Sequence, residues 1–146
     1  MNINEPDGQV PADENYGFED TSYEAAGQYE GIQRLVKSFY RFMDTLPEAL
    51  VIRDMHKDDL TEIDDKLSHF LCYWLGGPRS FVDKFGAVSI PRAHMHLAVG
   101  EAERDAWLLC MERAIELQPY KPSFKKYLLE QLAVPAERIR LTSPDP

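Results

Sequence analysis

Four histidines, His56, His69, His94 and His96, are the side chains of this sequence best suited to metal or acid–base chemistry. His94 and His96 form an HxH pair. On a strand, alternate residues share a face and such a pair could hold one transition-metal ion. On a helix the two point about 200° apart and could not. Pro91 suits the first turn of a helix, and the pattern around it predicts a short one through about Leu97. One of the two imidazoles is then expected to face inward and the other outward. His69 falls out of phase with the apolar stripe Ile63–Leu67–Phe70 and reads as a surface imidazole. Other chemistries find little support. Gly76-Gly77-Pro78-Arg79 lacks the lysine and the spacing of a phosphate cradle, and no GxSxG, HExxH or CxxC occurs. Glu112 and Glu116 lie four apart, but no Glu-x-x-His pair accompanies them as a di-iron bundle would require.

The elements that must position these residues are helical. Ser22 reads as the N-cap of a short helix that breaks at Gly27. From Glu30, apolar residues at 32, 35, 36, 39, 42 and 43 make one helical face that ends before Pro47. Leu46–Asp59 has no clean period and reads as a turn-rich connector. A strong helix is predicted over Leu60–Leu75, stopped by Gly76-Gly77-Pro78, which supplies a left-handed cap and then forbids continuation. A short piece, Arg79–Phe85, ends at Gly86. After the proposed His94 helix comes the longest run, Glu101–Leu117, with Trp107, Met111, Ala114 and Ile115 inward. A last helix covers Phe124–Leu132, with a prolongation past Pro135 left open. No period of two persists, so the fold class is all-α. Six helices of unequal length with sharp Gly and Pro breaks imply crossed, globin-like packing rather than an up-and-down bundle.

Composition bounds the rest. The chain has 146 residues, 44% of them hydrophobic, which fits one domain with a sizeable core. A formal charge of −9 argues against nucleic acid or an anionic membrane as main partner. No apolar run approaches a membrane span and no signal peptide is evident, so a cytoplasmic protein is expected. Cys72 and Cys110 each sit in an apolar helical pattern, and a disulfide framework is not expected. Residues 1–20 carry six acids, two prolines and two glycines without periodicity and read as a mobile acidic tail; 142–146 read as a frayed end.

What remains is a single histidine, His94, on a short helix facing an aromatic-rich interior. One protein ligand is too few for zinc. It suffices for haem iron, because the porphyrin supplies four nitrogens. A hydrogen-bonded core histidine is the alternative, and spacing alone leaves both open.

From Tyr23 to Leu117, roughly two-thirds of its length, the chain resembles a truncated haemoglobin of group II. The resemblance rests on Phe39-Tyr40, on Phe70-Leu71-x-x-Trp74-Leu75-Gly76-Gly77-Pro78, on Arg92-Ala93-His94, and on Glu103 through Met111 around Trp107. Any one piece is weak; the four in order at matching separations are specific. The resemblance implies a two-on-two helical sandwich around haem b, with His94 as the iron ligand and the sixth position open to dioxygen or another diatomic ligand. It implies that Tyr40 and Trp107 project into the distal pocket, where donors aimed at the partial negative charge of dioxygen slow its escape. His56 matches a position between two distal helices and is expected as a third donor, to the ligand or to Tyr40. Ile63 and Leu67 are placed over the iron, and Phe70, Leu71, Met95, Leu97 and Met111 complete the apolar lining. Lys66 is the best candidate for a haem propionate and Arg92 a second, although Pro91 and Ala93 stand where relatives more often carry arginines.

The sequence departs from the group at Ala26-Gly27-Gln28, where a Gly-Gly pair is usual, at Phe81, where many relatives have tyrosine, and at His96, which replaces a common proline two residues after the iron ligand and is expected to be exposed. Three functions share these residues. The first is a haem protein binding oxygen reversibly, as a monomer or homodimer served by a reductase. The second is a haem-dependent redox enzyme acting on peroxide or nitric oxide, with His56 as its distal acid or base. The third is a non-haem helical interaction module in which the acidic tail is the active part.

Overall fold

The computed structural model describes residues 15–86, 94 and 96–143. Seven α-helices, and no strand, occur among them: α1 (Thr21–Ala25), α2 (Gln28–Thr45), α3 (Leu50–Asp54), α4 (Thr61–Trp74), α5 (Ser80–Phe85), α6 (Glu101–Glu116) and α7 (Pro122–Thr142). Helix α2 packs on both α4 and α6; α6 packs on α7, and α5 on α4. The expected apolar face of α2 is the one that buries, with Ile32, Leu35, Val36, Phe39 and Met43 at 0–1% exposure. Cys72 and Cys110 are free and buried.

Several expectations need correction. Ser22 is not an N-cap: Asp20 holds that position, and Ser22 lies inside α1, buried, accepting the Gly17 N–H at 2.8 Å. The segment Leu46–Asp59 is not simply a connector. Its Pro47–Ala49 forms a 3-10 turn and its next five residues form α3. Too short for a period to show, α3 is held by packing on α2 and α6, with Ile52 buried. The last helix runs unbroken through Pro135 to Thr142. A proline there removes one backbone hydrogen bond, and Leu132 and Ala136 on either side of it are buried and keep the helix on the core.

Residues 15–20, assigned by composition to the acidic tail, are packed onto the fold. The Tyr16 ring lies 5.1 Å from those of Phe124 and Tyr127, and its hydroxyl is 2.7 Å from Ser123 Oγ. Residues 1–14 and 144–146 lie outside the described residues, as do 87–93 and 95. The tail and frayed-end expectations concern mostly these.

The turn after α4 forms as its glycines require. Gly76 has φ +94°, and a Cβ there would stand 2.0 Å from the Glu19 carbonyl oxygen. A Cβ on Gly77 would stand 2.5 Å from Tyr23 Cδ1. The Tyr23 N–H donates to the Leu75 carbonyl at 3.1 Å, so the start of the chain caps the end of α4. Between α1 and α2, Gly27 (φ +86°) is followed by Gln28 at φ +60°. That is the left-handed region, which costs a non-glycine residue about 1–2 kcal/mol. The usual Gly-Gly pair would carry no such strain.

Gln28→Gly is therefore expected to stabilise the protein by about 0.5 kcal/mol, the relief of strain less the added backbone freedom of glycine in the unfolded chain. Urea unfolding of the variant and parent checks this; a lower midpoint would show that the Gln28 side chain, which bonds Glu24 at 3.0 Å, outweighs the strain.

Candidate functional site

Tyr40 and Trp107 come from α2 and α6 and are joined through Phe39. The Phe39 ring centroid is 4.9 Å from that of Tyr40 and 5.2 Å from that of Trp107, each edge-to-face. Phe39 is 1% exposed and Tyr40 6%. Burial, and secondarily the nearby Asp64 carboxylate, push the Tyr40 phenol above its ordinary range, so it stays protonated and able to donate. Among the described residues nothing hydrogen-bonds the Tyr40 hydroxyl or the Trp107 indole N–H. Neither atom is among the buried polar atoms left without a partner, which are Ser68 Oγ and the Tyr120 hydroxyl, so both reach open space and are free to meet an acceptor from outside the chain.

His56 follows α3 and lies against Tyr40, ring centroids 6.0 Å apart and edge-on. Its Nδ1 is 2.8 Å from the Ile52 carbonyl oxygen. A carbonyl only accepts, so Nδ1 carries the proton, and in the neutral ring Nε2 is an acceptor. His56 was expected as a third donor. In its neutral form it is instead an acceptor beside Tyr40, and it can donate from Nε2 only when protonated. The loop is held by Arg53, whose guanidinium donates to the carbonyls of Lys57 at 2.9 Å and Asp58 at 3.0 Å while pairing with Asp44.

Ile63, Leu67, Phe70 and Trp74 form one stripe of α4, and all four are only half-buried. Leu71 and Cys72, on the adjoining face, are 1–2% exposed and belong to the core. So α4 carries a second apolar face that the described chain does not close. Phe70 is backed by Phe81 at 5.2 Å, which fills the place of the family's tyrosine with apolar contact alone. Met111 and Leu71, expected in the lining, are covered on all sides by protein and belong to the core. Lys66 reaches from α4 to within 5.7 Å of the Phe85 ring centroid. Lys84, over the same ring, is committed to Asp65 at 2.7 Å; among the described residues no carboxylate pairs with Lys66.

His94 is half-buried and helical, and Leu97, also half-buried, donates its N–H to the His94 carbonyl at 3.0 Å. His96 is exposed, as expected. Arg92 and Met95 lie outside the described residues. His69 is not a plain surface imidazole: it stacks on Tyr29 at 5.2 Å and lies 3.3 Å from Asp65. No cluster of three or more His, Cys, Asp or Glu side chains fit to hold a metal occurs among the described residues. No helix among them is long and apolar enough to cross a membrane.

An open apolar face, two unpartnered donors, a half-buried imidazole and an unpaired-by-carboxylate lysine suit a flat, largely apolar group with anionic substituents and a metal needing one protein ligand. The comparisons with known proteins agree. Residues 21–140 match the family model described as bacterial-like globin. A group 2 truncated hemoglobin of Bacillus subtilis, YjbI, is 28% identical over 117 residues, which are 80% of this chain and 86% of that one. The structure of a group II 2-on-2 hemoglobin from Agrobacterium tumefaciens superposes with a TM-score of 0.78 at 33% identity, covering 86% of this chain and 95% of that one. A truncated oxygen-avid haemoglobin from Bacillus subtilis superposes with a TM-score of 0.74 at 28% identity, covering 81% and 97%. The chain belongs to the bacterial-like globin family, as a group II truncated haemoglobin with the two-on-two fold. Its cofactor is haem b.

Nothing in the sequence marks Phe39 as the link between the Tyr40 and Trp107 rings or Ile52 as the acceptor that fixes His56. Phe39 sits beside Tyr40 in the recognised motif, and its place on the apolar face was the available signal. A backbone carbonyl leaves none.

The raised Tyr40 phenol has a consequence at high pH. Its folded value lies above the ordinary 10.0, so its contribution to stability is complete below pH 10 and is lost as pH rises through the folded value. In Tyr40→Phe the alkaline fall of unfolding free energy should become shallower by up to about 1.4 kcal/mol per pH unit, read by urea titrations above pH 10. An unchanged slope would place the phenol in contact with water.

Proposed function

We propose that His94 is the axial ligand of the haem and that Tyr40 and Trp107 are the donors that retain its diatomic ligand. Bound haem supplies an iron whose remaining open position takes a diatomic molecule such as dioxygen. The chain's residues decide how long that molecule stays. Tyr40, kept protonated by burial, gives its phenolic hydrogen, and Trp107 gives an N–H that has no acceptor role. Ile63 and Leu67 are apolar and compete for no hydrogen bond; with Phe70 and Leu97 they exclude water from the cavity. Lys66 is the cation for a propionate. Arg92 and Met95 enter this reading through their place in the motif alone.

The observation that carries the proposal is that Tyr40 and Trp107, neither with a hydrogen-bond partner among the described residues, pack on the same buried Phe39 ring. The oxygen-avid relative supports dioxygen as the ligand. For His94, what supports the assignment is a half-buried ring on a helical turn, next to an exposed His96 that shares its motif but not its burial.

His94→Ala should abolish stable haem retention; an axial-imidazole spectrum persisting in that variant would defeat the assignment. Tyr40→Phe and Trp107→Phe should each speed oxygen dissociation about tenfold, the effect of losing about 1.4 kcal/mol of ligand stabilisation. Stopped-flow off-rates equal to the parent's in both variants and in the double variant would refute the donor roles.

A further inference from the structure

One hydroxyl at the end of α7 holds the chain that leaves His94. Ser143 Oγ donates to the Leu97 carbonyl at 2.5 Å and accepts the Val99 N–H at 2.8 Å. Leu97 in turn donates its N–H to the carbonyl of His94 itself. A continuous run of hydrogen bonds therefore leads from the end of the last helix to the backbone of the candidate iron ligand. The helix that presents Ser143 is firmly based. Phe124, Leu128, Leu132 and Ala136 are buried along it. Glu137, one and a half turns before Ser143, takes hydrogen bonds from Arg104 of α6 at 2.6 Å and from Arg140 at 2.6 and 2.8 Å. Arg104 lies one turn before Trp107 on α6. The far end of the clasp is thus fixed to the helix that bears a distal donor.

Residues 97–99 carry no helix or strand of their own. Without a tether, such a segment is the first to open. The position of an axial imidazole depends on the backbone that carries it, and groups around a metal ligand orient it. We propose that Ser143 is a positioning residue for the proximal side: its hydroxyl clasps residues 97–99 to the end of α7 and fixes the seat of His94. The inference rests on His94 being the iron ligand. It gives the C-terminal end of α7 a task in holding haem, one that the distal residues do not perform.

The test uses the full haem-loaded chain with Ser143→Ala and Ser143→Thr. In Ser143→Ala, haem transfer to an excess of acceptor apoglobin should be about tenfold faster, as expected for losing two hydrogen bonds of ordinary net strength. The iron–histidine stretching band of the ferrous form should shift or broaden, and exchange of the Val99 amide should quicken. Ser143→Thr keeps the hydroxyl and should restore all three toward the parent. Parent-like haem transfer in Ser143→Ala would overturn the proposal. So would faster transfer with unchanged Val99 exchange, because the effect would then not run through the clasp. His94→Ala measured alongside separates the two readings. An axial-imidazole spectrum there overturns the ligand assignment, whereas Val99 exchange in Ser143→Ala reports on the clasp whichever residue binds iron.

Discussion

The contact of α2 with α6 through Phe39 governs what the site can do. Tyr40 and Trp107 stand far apart in sequence, on different helices, and each alone is an ordinary amphipathic aromatic. Phe39, buried to 1% and touching both rings edge-on, holds each against the core and so links their positions. On the proposed reading, a side chain on the core face of α2 thereby sets the distance between the two donors. Close packing makes such a distance definite, because interiors of crystal-like density do not slide by fractions of an ångström without penalty.

The same economy runs through α4. Its core face, with Leu71 and Cys72, is closed by protein, and its second apolar stripe, Ile63 to Trp74, is not. A helix apolar on two sides must bury both. One side is given to the core, and on the proposed reading the other is covered by haem. The surrounding turns serve that arrangement. Gly76 and Gly77 let the 19–23 segment approach to within contact of the backbone, which ends α4 at the right length. Arg53 ties the loop that carries His56.

How much of this the sequence displayed depended on whether the controlling interaction was local. Helices α2, α4 and α6 were legible because a run of apolar residues three and four apart is itself the physical cause of their burial. The Gly76-Gly77-Pro78 stop was legible because turn chemistry is local. Helix α3 was not: five residues carry no period, and contacts with α2 and α6 decide them. Tyr16 was hidden in an acidic stretch whose composition says nothing of one aromatic ring finding Phe124. His69 looked exposed by phase, but phase does not foresee Tyr29 stacking on it from another helix. Ser143 was read as part of a frayed end, since a hydroxyl serving residues 97 and 99 depends on a fold not yet formed. For the proposed site, Tyr40, Trp107 and His94 stand out only through the motif that holds them, and the contacts made by Phe39, Ile52 and Ser143 do not, because they depend on the fold rather than on residue type.

The tautomer of His56 bears on which chemistry the pocket suits. With Nδ1–H given to the Ile52 carbonyl, a neutral His56 offers only an acceptor at Nε2. The donors proposed for the distal side are then Tyr40 and Trp107, neither of which gives up its proton readily near neutral pH: burial holds the phenol protonated, and an indole N–H is not an acid in this range. Donors that share a proton without releasing it retain a partly negative ligand. Turnover of peroxide calls for a group that takes a proton and returns it, and His56 alone has that capacity. An acceptor Nε2 beside the Tyr40 ring is well placed to orient the phenol, which serves retention. It could act as a base only where it reaches the substrate itself rather than the tyrosine. On the proposed reading, two fixed donors and one imidazole already bound on one nitrogen favour holding a diatomic ligand over cleaving one.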